Sequence, residues 1–445
     1  MPSKPPEIVL PRSPELAELS RRAWQSAADA LGGGWQPRTL REVAEIALWL
    51  KYLPRETERL TTAGTFLDAA LDRQAATGQL PAAWDGGEEL LALYPSLDPP
   101  LLSWAEWDLF LHSGDEERVA RVLPALARHF DWYSQNRTRK QGHLWCAPGE
   151  AHQKGFRHEA WGWADRTCLA ALDAEHIAAM ALEADHFEIA EAASANYLGF
   201  KALANETLWD EVTCAYVDID EDEIPLGQVT AATFHALLAG LAEGEQSEEL
   251  LRHLMTPRTF GQSMPLPWLA ANNKHFKPEG APRTGAVYPL ESYMLVRALE
   301  RAGAQTEAHE TALLYMENLA EAVEKEGDFA AWHAPRTRSR GEGAPLGFHA
   351  AVGLGPVAMT LESLMGIRPD APMERLRWQL RMQETHGVRG LRCGAATLTL
   401  YAEWKNRAWN VHVETDAPIE VQVEGQAGTH VLEFASAGTR ELRAE

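Results

Sequence analysis

The sequence predicts a mainly α protein: an (α/α)6 barrel, a toroid of six helical hairpins, followed by a small C-terminal antiparallel β-domain. Three observations predict it. Apolar residues recur at helical spacing in about twelve segments. The connections between those segments alternate, one tight and the next long. After Pro369 the apolar period shortens to that of strands. The barrel is expected over residues 1–368 and the β-domain over 369–445.

The helices are expected near 14–31, 39–53, 55–77, 97–113, 115–135, 166–184, 186–206, 228–241, 245–255, 289–303, 304–326 and 348–364. Ser13-Pro14-Glu15 and Asp98-Pro99-Pro100 place a capping residue before a proline that suits the first helical turn. Gly32-Gly33-Gly34 stops the first helix. Ser113-Gly114-Asp115 and Ala184-Asp185 are tight connections, whereas 78–97, 136–165, 207–227 and 256–288 are long and rich in Trp, Pro, His and Gly. Helices paired tightly at one end and loosely at the other describe a ring of hairpins. No repeat of fixed period supports a solenoid instead. Within 207–222 the alternation of Cys214, Tyr216, Asp218 and Asp220 reads as a short strand or hairpin. Further strands are expected at 375–383, 387–393, 397–403, 409–414, 419–423 and 430–434, with turns at Asn406-Arg407 and Gly425-Gln426. Such a unit serves as a structural cap on the barrel or as a carbohydrate-binding accessory.

Composition narrows the function. Lys and Arg number 41 and Asp and Glu 64, so the formal charge is 41 − 64 = −23. That charge argues against nucleic acid or an anionic membrane as partner. Apolar residues make up 45% of the chain, enough for a sizeable core. The four cysteines, Cys146, Cys168, Cys214 and Cys393, have neither disulfide-framework nor metal-ligand spacing, and reduced thiols are expected. With no apolar leader at the N-terminus and no run able to span a bilayer, a cytoplasmic setting is the expectation. Oligomeric state is not readable.

The long loops hold the candidate chemistry. The longest, 256–288, carries Trp268, Arg283 and Tyr288 and runs into a helix that opens with Pro289 and Glu291. An ordered loop of this length is expected to form a wall of a binding site. Residues 136–165 interleave aromatics with acids and histidines: His158, Glu159, Trp161, Trp163 and Asp165. Indole faces stack on sugar rings, and carboxyls bind hydroxyls and move protons. Trp104 opens the helix of PPLLSWAEWDLF, and 326–351 holds Asp328, Trp332, His333 and His349. Histidine spacings fit no helical zinc pair, and Asp218, Asp220 and Asp222 lack the remainder of an EF-hand loop, so no metal is expected. No phosphate loop, dinucleotide fingerprint or Gly-x-Ser-x-Gly elbow occurs, and no cofactor is expected.

Five segments stand in a recognisable order: PPLLSWAEWDLF, LWDEVTCAYVDID, SMPLPWLAANNKHFKPEG, TGAVYPLESYMLVRALERAG and FAAWHAPRTR. Together they resemble glycoside hydrolase family 63, in particular its mannosylglycerate-hydrolase-like and trehalase-like members, over residues 40–365. The resemblance implies an (α/α)6 barrel that hydrolyses an α-glycoside with inversion. That chemistry uses one carboxylic acid and one carboxylate base, set roughly 6.5–9.5 Å apart to admit water. The motifs also depart from the family. Its Gly-Pro-Val-Trp-Pro reads Gly285-Ala286-Val287-Tyr288-Pro289, and its Gly-x-Asp-Asn-Ser-Pro acid segment is missing. The base glutamate of Phe-x-Glu falls on Ala331, and a helix-opening Trp-Asp becomes Arg41-Glu42.

The expected function is therefore a glycosidase for a small α-linked saccharide, with relocated carboxyls: Glu159 or Asp165 as acid, Glu291 or Asp328 as base. Glu42, Trp104, His158, Trp161, Trp163, Trp268, Arg283, Tyr288, Trp332, His333 and His349 are the expected substrate contacts. Two alternatives stand beside it. One is a non-hydrolytic sugar enzyme, such as a lyase, an epimerase or a hydrolase of oxidised sugars, working through histidine and Tyr288. The other is a carbohydrate-binding homologue without activity.

Overall fold

A computed structural model describes residues 4–53, 62–91, 93–94, 101–144 and 161–444. Six helices form an inner ring: α2 (Leu40–Leu50), α4 (Leu102–Ser113), α6 (Ala164–Glu183), α8 (Ala231–Phe234 running into His235–Leu238), α10 (Pro289–Arg301) and α12 (Leu354–Leu364). Each packs on the next, and α12 returns to α2 to close the ring. The outer helices are α1 (Pro14–Gly32), which precedes α2, and, between successive inner helices, α3 (Ala63–Leu71), α5 (Glu116–Asn136), α7 (Phe187–Leu203), α9 (Glu245–Met255) and α11 (Gln305–Glu326). The protein is an (α/α)6 barrel.

Side-chain character decides the layer. Every residue of α12 is buried, as is every residue of α2 except Glu42. Helices without a polar face belong inside. On α7 only Ala190 and Ala193 are buried, and its other faces meet solvent or are partly covered. Alanine-rich α6 lies close along α7. α12 is wound as a π-helix, which sets its carbonyls out of the usual i→i−4 pattern.

The inner helices share a polarity. Arg41 at the start of α2 meets Glu291 at the start of α10. About three turns later, Lys51 meets Glu362 of α12 and Asp108 of α4. The amino ends thus form a mouth and the carboxyl ends a base.

The β-domain closes the base. One sheet has the order β1-β6-β7-β8-β11, built from Glu7–Val9, His386–Cys393, Ala396–Lys405, Ala408–Thr415 and Gly438–Ala444. The other is β10-β9-β5-β4, from Gly428–Phe434, Ile419–Gly425, Arg375–Gln379 and Ile367–Asp370. Pairing is antiparallel except between β5 and β9. The chain's beginning therefore joins its end, since β1 pairs with β6. A two-stranded hairpin, β2 (Trp209–Asp210) with β3 (Ala215–Tyr216), stands within 207–222 as expected. At the seam, Gly394 N donates to His112 O at 2.9 Å, and Arg381 pairs with Glu300 at 2.8 Å. Among the described residues no helix is long and apolar enough to cross a membrane.

Candidate active site

The site is built from the first turns of the inner helices. Thr39 caps α2 by accepting the N–H of Glu42, which fixes where the helix starts. Arg41 and Glu45 follow at i,i+4 and are buried together, with Arg41 Nε 2.7 Å from Glu45 Oε1. The two terminal nitrogens of Arg41 reach across the ring to Glu291, at 2.8 and 2.9 Å. This is a bidentate guanidinium–carboxylate pair, the strongest geometry such groups adopt.

Aromatic rings cover the pair. The Arg41 guanidinium lies 5.0 Å from the Tyr94 ring and 5.8 Å from the Tyr288 ring. Tyr94 contacts Tyr288 at 5.7 Å and Trp332 at 5.9 Å, and Tyr288 contacts Trp332 at 6.1 Å. Tyr288 Oη donates to Leu93 O and accepts from Arg283 N, both at 2.9 Å. Short extended segments hold these side chains in place. Val287 and His333 exchange two backbone bonds of 2.9 Å, and Trp268 N donates to Ala286 O at 2.9 Å.

Burial sets the protonation states. Desolvation lifts the Glu45 carboxyl to about 7 in spite of Arg41, and Glu291 and Glu42 push the same way. Glu42 is raised as well, chiefly by burial, although it accepts Arg38 N at 2.7 Å. Burial lowers His333 to about 4 and His349 to about 3. Burial likewise lowers Arg283 and raises Tyr288.

A second group lies at the start of α6. Asp165 is fully buried in the first turn and accepts the N–H of Arg166 at 2.8 Å. Asp218 caps this helix through Ala164 N at 2.9 Å. Asp220 accepts from the backbones of Asp222 and Ile224, so both aspartates are engaged in shaping the chain. Trp163 is buried with the Arg166 guanidinium 5.0 Å from its ring. Trp161 lies against Arg139 at 3.8 Å.

The remaining expected residues are dispersed. Asp328 follows outer helix α11 and accepts Phe329 N at 2.8 Å, where Arg22 of α1 reaches Gly327 O. Trp104, in the first turn of α4, is buried and stacked on Tyr293 at 5.8 Å, and the Tyr293 hydroxyl reaches the cluster at the base of the ring. There Glu362 accepts bonds from Tyr52, Tyr293 and Arg297 and pairs with Lys51. Glu159 and His158 lie outside the described residues. Sequence reasoning missed Arg41 as a site residue, and missed Glu45 and Tyr94 altogether. The available signal was an i,i+4 charge pair inside LREVAEIALWL, a stretch whose one other charge is Glu42.

The profile of the mannosylglycerate hydrolase MGH1-like glycoside hydrolase domain matches residues 21–155 and 149–349. The chain belongs to this family of MGH1-like glycoside hydrolase domains. The MGH1-like chain is similar to an "Uncharacterized protein" of Borreliella burgdorferi, 20% identical over 365 residues, covering 79% of this chain and 77% of that one. Its fold is similar to that of GH63 mannosylglycerate hydrolase from Thermus thermophilus, solved in complex with glucose. The TM-score is 0.57 at 17% identity, over 76% of this chain and 99% of that one. A sialidase matches at TM-score 0.72 and 12% identity over 92% of this chain, which spans only 40% of that longer chain. An α-L-rhamnosidase from Dictyoglumus thermophilum matches all of this chain and 51% of its own, at TM-score 0.64 and 11% identity. The MGH1-like barrel and its β-domain therefore have a joint counterpart in that enzyme's fold.

Proposed function

We propose that this glycosidase-family protein hydrolyses a small α-linked glycoside with inversion, using Asp165 as general acid and Glu291 as general base. The observation that carries this reading is the placement of Glu291. It stands in the first turn of an inner helix at the mouth, on the ring that the family's enzymes share, with both oxygens oriented by Arg41. Asp165 has the same station on α6. An inverting mechanism needs one carboxyl on each side of the scissile bond, with water on the base side. Glycosyl-glycerates and α-linked disaccharides are the substrates to try first, since the related Thermus thermophilus enzyme is a mannosylglycerate hydrolase. Tyr94 offers a partly exposed stacking surface, backed by the buried rings of Tyr288 and Trp332. A cytoplasmic setting fits the free thiols Cys168, Cys214 and Cys393.

The test is substitution followed by turnover. Glu291→Gln and Asp165→Asn are each expected to lower kcat by about 10³-fold or more while the ligand-induced rise in melting temperature persists. Wild-type turnover in both variants would overturn the assignment. The non-hydrolytic reading through Tyr288 has less support, because its hydroxyl is engaged on both sides by Leu93 and Arg283.

A further inference from the structure

We propose that Arg41 and Glu45 are a positioning pair for Glu291, each aiming the next. The inference rests on Glu291 as the base. Neither residue belongs to the expected acid, base or substrate contacts.

The geometry has three parts. A glutamate side chain has three rotatable bonds, so one at a helix start samples several carboxylate orientations. Two parallel N–H···O bonds from Arg41 select one of them and fix the plane of the carboxylate. The guanidinium in turn is long-stemmed and needs its own fixing. Glu45 provides this from one turn along the same helix by taking the Nε edge at 2.7 Å. Tyr94 and Tyr288 cover the planar face. All three charged residues are at least nine-tenths buried, with relative exposures of 7%, 5% and 3%.

Among the described residues, the charged and titratable groups around Glu45 include Arg41 and Glu42 on its own helix, Glu291 from α10 and Tyr94 from the mouth. Glu42 adds repulsion on Glu45, and the Arg41 guanidinium faces the carboxyls of Glu291 and Glu45. With its two ends given to Glu291, a proton on Glu45 relieves the like-charge crowding, and neutral Glu45 still accepts from Nε. The pair keeps its geometry in either state.

The test is a double-mutant cycle on the full chain, read as kcat and KM on whichever α-glycoside the wild type hydrolyses. Arg41→Lys keeps the charge and loses the two-pronged geometry, and kcat is expected to fall about 100-fold with KM within about twofold. Glu45→Ala is expected to lower kcat about tenfold, and Glu45→Gln, which retains the acceptor, to restore most of it. The double variant Arg41→Lys/Glu45→Ala is expected to be no slower than Arg41→Lys alone, because the two act in series. Thermal melts establish that each variant is folded. If Arg41→Lys fails to fold, the Ala-versus-Gln comparison at Glu45 decides alone. Wild-type kcat in Glu45→Ala, or equal losses in Ala and Gln, would overturn the positioning role. If Glu291→Gln turns over like the wild type, the base assignment fails instead, and the two failures are told apart.

Discussion

Glu45 shows how one side chain records its surroundings. Its carboxyl titrates near 7 when folded, against about 4.3 in an unfolded chain. A group whose folded value is raised binds its proton more tightly in the native state. It therefore costs no stability below the unfolded value, and the cost grows as pH rises between the two values. Glu45→Gln removes this titration. The melting temperature of the variant, minus that of the wild type, is expected to become more positive from pH 4.5 to pH 8. A difference that does not change with pH would contradict the raised value. Sequence reading named Glu291 because it opens a helix after an aromatic-rich loop, and Asp165 because it ends another such loop. It passed over Arg41 and Glu45 for a physical reason. On a soluble helix, charges spaced i,i+4 are ordinarily a solvated salt bridge, and only the ring's closure shows that this pair on α2 is held away from water.

At the scale of elements, the helices were legible and the sheet edges were not. Apolar runs of helical length mark the barrel helices, so the expected twelve fall close to the observed ones, even though α12 is wound as a π-helix and α8 begins as a 3-10 turn. The strands β1, β4 and β11 went unread because β1 and β4 are only three and four residues long and β11 carries mostly exposed polar residues. Alternation needs length and a buried face to be seen. The parallel pairing of β5 with β9 is set by packing, to which periodicity is blind. Packing between elements can be tested at Gly353, just before α12. A Cβ there would stand 2.2 Å from Cδ2 of Trp49, a fully buried ring anchored through Nε1 to Ala350 O. Gly353→Ala is expected to pry α12 from α2 and cost about 1–3 kcal/mol. Denaturant unfolding at 25 °C checks this, and an unchanged midpoint would mean that the two helices do not meet as described.

Over the whole molecule, charge ties the barrel's base to the β-domain. Glu300 at the end of α10 faces Arg297 on its own helix, Arg368 of β4, and Arg381 just past β5. The three guanidiniums hold its carboxyl below the usual range against the opposing cost of burial. Its stabilising contribution is therefore present at neutral pH and lost as pH falls through that lowered value. Glu300→Ala leaves three arginines with one carboxylate fewer. It is expected to cost about 3–5 kcal/mol at pH 7 and progressively less as pH falls below about 4.3, where the unfolded carboxyl takes up its proton, measured by calorimetry at pH 7 and about pH 3. An equal loss at both pH values would contradict the pairing. This seam was hidden in the sequence, where Glu300, Arg368 and Arg381 stand far apart along the chain. The account's central claim concerns the other end of the ring, and proton NMR of the anomers released from a panel of α-glycosides tests it most directly. Wild-type protein is expected to release the β-anomer first, and Glu291→Gln to release none. Initial release of the α-anomer, or binding that raises the melting temperature without any sugar being freed, would contradict inverting hydrolysis at this mouth.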